Sequence, residues 1–369
     1  MKQVVLITGH YWRSKRKAGF HWLADAFLSQ GWEVLFLTTG FSLFSIPRRD
    51  HRLQYVLLKE INQIHQSQPH LWSYVAFTPF HPANLRSSWL NHIFNSVFED
   101  YTNQVNLDPC IDWLKTADLF IFESTSGLML LNRIQTLNNH AKYVYRVSDD
   151  LHCLKSHLSL LRYEDFSLSY FDLISTPSPT LQQRFQDRHH LVKLDYHGVR
   201  RDLFDRTYEN PYDNDCHNVV FTGIAYFDLE FIDIASQAFP SWKFHILGPI
   251  KKLPRRSNIL AYGECHFMNT IPYLKYADLG LQTLTYRLGA ESFTHSLKTI
   301  QYTYCKLPIV APNYLKSTLP HWYNYKPSVK SSIIDTLQQA IQHPRIDILI
   351  KDIQSWDEII VQWCKELKV

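Results

Sequence analysis

Apolar residues recur along this chain in two rhythms. Short runs rich in Val, Ile, Leu and aromatics alternate with longer stretches in which apolar residues return every three or four positions. The first kind reads as strands buried on both faces of a parallel sheet, the second as helices packed upon it. The segment QVVLIT (3–8) opens the series and is followed by Gly9 and a basic loop. A helix is expected from about Ala18, with Phe20, Leu23, Ala24, Phe27 and Leu28 on one face and Gly31 as its stop. WEVLFLTT (32–39), DLFIFES (118–124), AKYVYRVS (141–148) and LISTPS (173–178) continue the strands.

The same alternation restarts at NVVFTG (218–223). A helix pattern covers 229–239, strands follow at KFHILG (243–248) and NILAYGE (258–264), and a short helix and strand fill 271–284. A helix then leads into the strand PIVAP (308–312), and helices at 333–343 and 356–367 close the pattern. Strands alternating with helices predict an α/β fold. The expected arrangement is two Rossmann-like domains facing each other across a cleft, with 1–200 as the first, 201–217 as a polar, turn-rich linker and 218–369 as the second. The last helix could cross back to the first domain. Ligands are expected where the carboxyl ends of parallel strands meet such a cleft.

A chain of 369 residues is long enough for two cores, which agrees with this division. Its net charge of +4 is too mild for a nucleic-acid binder, although anionic lipids and phosphorylated ligands remain suitable partners. The six Cys form no CxxC pair, so a zinc ribbon and a dithiol redox motif are excluded. They read as scattered thiols of a reducing compartment. The first apolar run is too short for a signal peptide, and no run is long enough to span a bilayer. A cytoplasmic protein is expected, one that can lie on the inner membrane surface.

Three segments carry candidate chemistry. In HSLKTIQYTYCKLPIVAPN (295–313), Lys298 stands in the first turn of a predicted helix, where the helix end is already positive. A cation there suits an arriving anion such as a diphosphate. Gln301 lies one turn on, on the same face, within reach of ribose hydroxyls. Gly223 ends a strand and would let backbone approach a phosphate. Asp149 and Asp150 end the strand pattern YVYRVS, and a carboxylate there can take a proton from an attacking hydroxyl. Asp149 is nearer the strand, while Asp150 could cap the helix that follows. DND (213–215) sits in a run of turn residues and reads as linker rather than as a metal site; with no ligand spacing among the 19 His, no metal is expected.

The third segment concerns surfaces. WRSKRK (12–17) places Arg13, Lys15, Arg16 and Lys17 in one loop. In 77–98, Leu90, Ile93, Phe94 and Val97 fall on one predicted helix face with Trp89 beside it. A basic loop near such a stripe suits an anionic membrane, and the loop could also meet an acceptor's diphosphate; the stripe could equally be core.

Taken in order, these segments resemble a known family. HGV…LF (197–204) is similar to the join between the halves of GT-B glycosyltransferases, and SLKTIQYTYCKLPIVAP resembles their donor-binding segment, with Gln301 in place of the usual Glu. YRVSDD, TGIAYFD, YGE and SLKTIQY together resemble the polysaccharide-prenol β-glucuronosyltransferases of xanthan-type polymer assembly. The resemblance implies inverting, metal-independent transfer from a UDP-sugar, first of all UDP-glucuronate, to a polyprenyl-diphosphate-linked glycan, with no cofactor. It implies an Asp base in the 149–150 region and a donor role for Glu264. The family pattern has Tyr at Leu284, with Tyr286 two residues on, and Met at Leu297 and Ala225, so the donor-facing side chains differ here. The rival readings are a UDP-sugar 2-epimerase of the same fold and a non-catalytic nucleotide-sugar-binding scaffold.

Overall fold

The computed structural model describes residues 1–369 except 48, 49, 57, 213, 214, 225, 346, 347 and 351, and except the side chains of 51, 54 and 58. The chain forms two compact units, one of residues 1–196 with 356–369, the other of residues 197–355.

Among the described residues, the first unit holds a sheet of eight strands: β1 Gln3–Thr8, β2 Glu33–Ser42, β3 Ile64–Gln68, β4 Leu71–Thr78, β5 Leu119–Glu123, β6 Lys142–Arg146, β7 Leu173–Thr176 and β8 Val192–Leu194. Their spatial order is β3-β4-β2-β1-β5-β6-β7-β8, parallel throughout except for β3 against β4. The chain therefore builds outward from β1 in one direction and then, from β5, in the other. The point of reversal lies between β1 and β5, where open α/β sheets leave a crevice beyond their strand ends. Residues 4–7 of β1 are fully buried because helices cover both faces.

The helix Gly19–Ser29 packs on that sheet and on the last helix, Trp356–Leu367. Trp356, Ile359, Ile360 and Trp363 of the last helix are buried. Trp363 donates its indole N–H to Asp195 at 2.8 Å, and Asp195 also accepts from Ser175 at 2.6 Å. Buried Arg146 donates to the Ser175 hydroxyl and the Asp195 carbonyl, both at 2.7 Å. This network satisfies a guanidinium that desolvation has taken down to about 10.

The second unit has six described strands: β9 Asn218–Thr222, β10 Lys243–Leu247, β11 Ile259–Gly263, β12 Leu279–Leu281, β13 Ile309–Pro312 and β14 Trp322–Tyr325. All are parallel, in the order β11-β10-β9-β12-β13-β14. Here the reversal lies between β9 and β12. Helix Leu297–Tyr304 crosses at this point, held by Tyr302. The Tyr302 hydroxyl donates to the Leu281 carbonyl at 3.2 Å and accepts from the Thr222 N–H at 3.1 Å, joining β12 to β9. Its ring lies where a side chain at Gly280 would be, since a Cβ there would approach it to 2.7 Å.

The sequence pattern missed β3, β4, β8 and β14. The stripe expected over 89–97 is not one helix. It is broken at Phe94 between helices Ser88–Ile93 and Asn95–Glu99. Phe94 turns inward against Phe44, Phe80 and Phe98, at ring separations of 5.5, 5.6 and 5.8 Å. No helix among the described residues is long and apolar enough to cross a membrane.

Candidate functional site

In the first unit, the ends of β1, β5 and β6 gather a cluster of ionisable groups. Glu123 is the last residue of β5 and is buried. Its carboxylate accepts from the Thr8 hydroxyl at 2.5 Å and the Gly9 N–H at 3.0 Å, and lies 3.4 Å from His10 Nε2. Burial opposes the charge on Glu123, yet His10 and the Thr8 and Gly9 hydrogen bonds hold its pKa down to about 2. Burial likewise works against a charged His10, but the facing Glu123 carboxylate leaves its pKa raised. The Glu123 carboxylate, fixed by the Thr8 hydroxyl and the Gly9 N–H, thus favours the protonated form of the facing imidazole.

Asp149 follows β6 by three residues, and its N–H donates to the Ser124 hydroxyl at 3.0 Å, next to Glu123. Desolvation and then the charge of Glu123 raise its carboxyl to about 6, with Asp150 adding to the rise and His10 opposing it. Asp150 is differently placed. Its Oδ1 accepts from the N–H groups of His152 and Cys153 and from Arg184 at 2.6 Å. Arg184 also donates to buried Glu164 at 2.6 Å. The expected capping role of Asp150 is met in the turn at 151–155 and not at the next helix, Leu158–Ser167, which is capped by His157. Glu123 and His10 were not singled out in the sequence. A Glu ending a buried strand and a His just beyond a Thr-Gly turn were the available signals.

In the second unit, Gly223 follows β9 with φ of 148°, a conformation open to glycine alone. Lys298 stands in the first turn of helix Leu297–Tyr304, its ammonium 4.2 Å from the centre of the Phe221 ring and 3.5 Å from where a Gly223 Cβ would lie. It has no hydrogen-bond or ion-pair partner among the described residues. Lys298 is half-buried, and desolvation takes its pKa down to about 7. Ser296 does not cap this helix through its side chain; its hydroxyl accepts from buried Gln282 at 3.1 Å. First-turn N–H groups and a nearby cation are the chemistry that can receive an anion.

Other expected donor residues lie around these strand ends. Gln301 is buried one turn beyond Lys298, and Leu297 precedes it as the first helical residue. Leu284 is buried after β12, and its carbonyl accepts from the Tyr314 hydroxyl. Tyr286 is exposed and meets the Tyr314 ring edge-on at 5.1 Å. Glu264 directly follows β11, half-buried. Ala225 and the first two residues of DND lie outside the described residues.

The basic loop is folded back on its own unit. Arg13 donates to buried Glu60 at 2.9 Å, which the Tyr11 hydroxyl also reaches at 2.5 Å. Lys17 donates to the Trp12 carbonyl at 2.8 Å, and Lys15 lies 5.8 Å from the Tyr55 ring centre. Arg16 is half-buried in the same loop. Trp89 is 67% exposed and Ile93 47%, with Leu43, Ile46, Leu154 and Leu158 also exposed on this unit.

Residues 6–177 match the family of the glucuronosyltransferase GumK N-terminal domain. A UDP-glucuronate:glycolipid 2-beta-glucuronosyltransferase of Xanthomonas campestris pv. campestris is 28% identical over 345 residues, covering 93% of this chain and 84% of that protein. Among solved structures, Anabaena HepE in complex with UDP and glucose superposes with a TM-score of 0.64 at 13% identity, covering 99% of both chains. An Escherichia coli trehalose-6-phosphate enzyme bound with UDP-2-fluoro glucose does so with a TM-score of 0.57 at 10% identity, covering 99% of both chains.

Proposed function

We propose that this chain, a GumK-like glycosyltransferase of the GT-B fold, moves glucuronate from UDP-glucuronate to a lipid-diphosphate-linked glycan, with inversion and without a metal. The observation that carries the reading is Lys298. A desolvated ammonium without a counter-ion among the described residues, at a helix start and beside a glycine strand end, is arranged for a diphosphate. It would neutralise charge on the leaving UDP as the glycosidic bond breaks, the part otherwise supplied by a metal ion. Gln301, Glu264 and the backbone at Gly223 are the residues we assign to the nucleotide and sugar. The donor-facing positions Leu284, Tyr286, Leu297 and Ala225 would set the sugar.

Asp149 is the proposed base. Its carboxylate takes the acceptor hydroxyl's proton, the freed oxygen bonds to the anomeric carbon, and the electron pair of the breaking C–O bond leaves with UDP. Inversion follows from a single displacement. A carboxyl with a pKa of about 6 is ionised at neutral pH yet basic enough to take part. The lipid acceptor would be met at an anionic membrane surface through Trp89 and the exposed apolar residues near it, with Arg13, Lys15, Arg16 and Lys17 nearby in sequence to the same unit's first strand.

The test is transfer of label from UDP-[14C]glucuronate into the organic phase of a membrane lipid extract. The label should be released by mild acid, which cleaves lipid diphosphates, and UDP-glucose should serve poorly. Conversion of the UDP-sugar to its epimer, or no turnover with any extract, contradicts the proposal.

A further inference from the structure

The base proposed above does not stand alone. The reversal point between β1 and β5 is occupied by His10 and Glu123, and Asp149 lies against the same strand end through Ser124. Glu123 is fixed from three directions, by Thr8, Gly9 and His10. Such a carboxylate cannot turn away from its neighbours, and it repels the ionised form of Asp149. His10 faces it at 3.4 Å, and the carboxylate favours the protonated imidazole there.

We propose that His10, 3.4 Å from Glu123 where β1, β5 and β6 end, is a positioning residue for the reaction: it offsets the Glu123 carboxylate beside Asp149, so that Asp149 can take the acceptor's proton. The proposal rests on the assignment of Asp149 as base. Several other groups bear on the cluster. Asp150 adds negative charge, but Arg184 is paired with it at 2.6 Å. Arg52 opposes protonation of His10, although it is itself paired with Asp50 at 2.6 Å and donates to the Gly9 carbonyl. His21, with its ring centroid 5.7 Å from that of His10, is buried and kept neutral by desolvation. Arg146 lies beside Glu123 in strand register and its charge also bears on it, but its guanidinium is engaged by Ser175 and the Asp195 carbonyl, so His10 is the group in contact with the Glu123 carboxylate.

Without His10, Asp149 would face Glu123 and Asp150 with less compensation. Its proton would be held to higher pH, and less of the base would be ionised at neutrality. A charge effect makes a forecast that a packing effect does not: Lys at position 10 should serve where Gln does not.

The experiment is a pH titration of the full-length protein labelled with [γ-13C]Asp, with the Asp149 signal identified by its loss in Asp149→Asn. The wild-type midpoint should lie near 6. In His10→Gln it should rise by about one pH unit, the size of an opposite charge removed at close range, and in His10→Lys it should return toward the wild-type value. An unmoved midpoint in His10→Gln overturns the proposal, and so does an equal rise in His10→Lys. Thermal melts of all variants show whether each is folded before titration. The titration needs no substrate, so a positive result alongside failed sugar transfer would implicate the proposed function and not the role of His10.

Discussion

Lys298 is expected to take up a proton when it binds a nucleotide sugar. In the free protein desolvation holds its pKa at about 7. A diphosphate beside the ammonium favours the charged form and should return it toward its ordinary value, about 10.4. At pH 8 only about a tenth of the free protein then carries the charge, so binding should absorb about 0.9 proton per site. At pH 6 the uptake should fall to about 0.1. The sign follows directly: the bound pKa is the higher one, so affinity is greatest below 7 and declines as pH rises. Between pH 6 and pH 8 the loss should be about tenfold, or about 1.4 kcal/mol. UDP-glucuronate suits the measurement because its diphosphate and carboxylate stay ionised throughout. Calorimetry in HEPES and in Tris, whose ionisation heats differ and which bring no phosphate to the site, reads the proton count from the difference in apparent enthalpy. Lys298→Met should abolish the buffer difference and weaken binding by about 1.5–3 kcal/mol, the worth of a charge-assisted contact. Buffer-independent heats at pH 8, with affinity flat from pH 6 to pH 8, would refute the assignment of Lys298 to the diphosphate.

Three further outcomes are expected. Asp150→Asn should lower thermal stability by about 1–2 kcal/mol through its half-buried pair with Arg184, while sugar transfer in the folded enzyme stays within a few-fold of wild type; a large rate loss at unchanged melting temperature would count against this. Trp89→Ser with Ile93→Ser should reduce flotation with anionic vesicles, since burying each side chain is worth about 1.5–3 kcal/mol; equal flotation of the double variant would rule out this surface. His245 and His321 are held at about 4 by desolvation, with Lys243 and His343 respectively lowering them further. Because their folded values are depressed, the stability they confer is present above about 6.5 and lost as pH falls toward 4, which a denaturant series at several pH values would show.

The strands that carry the two candidate sites were legible because both their faces are buried. QVVLIT, NVVFTG and their parallel neighbours therefore appear as unbroken apolar runs. β3 was not, because Ile64–Gln68 is an edge strand with polar side chains, and β8 and β14 are too short to show a rhythm; β4, Leu71–Thr78, is apolar and buried like the legible strands and was missed all the same. Lys298 could be picked out from its place at a helix start. What holds it there could not, for Tyr302 acts through Thr222 and Leu281, far apart in the chain. The same applies to the aspartates. Asp149 and Asp150 are adjacent and differ in the sequence only by one step from the strand, whereas the fold gives Asp150 to Arg184, 34 residues away, and Asp149 to Ser124. Glu123 and His10 are single residues at strand ends, and their relation depends on β1 and β5 being neighbours across the reversal of strand order. The stripe at 89–97 was open to a surface and a core reading, and its residues divide between them, with Trp89 and Ile93 exposed. Its spacing fits a helix, but the inward turn of Phe94 onto three other rings is a tertiary event.

In the proposed reaction donor binding and proton acceptance belong to different residues, Lys298 and Asp149, on different units of the chain. The most direct test is Asp149→Asn, measured twice in the same preparation: for UDP-glucuronate affinity by calorimetry, and for single-turnover transfer at saturating donor. Asn keeps the shape of the side chain and removes its basicity. Donor affinity should stay within about twofold of wild type while the transfer rate falls by about 10²–10⁴-fold, the usual cost of removing a general base. A near-normal transfer rate, or a loss of donor affinity that accounts for the loss of rate, would contradict this division of roles.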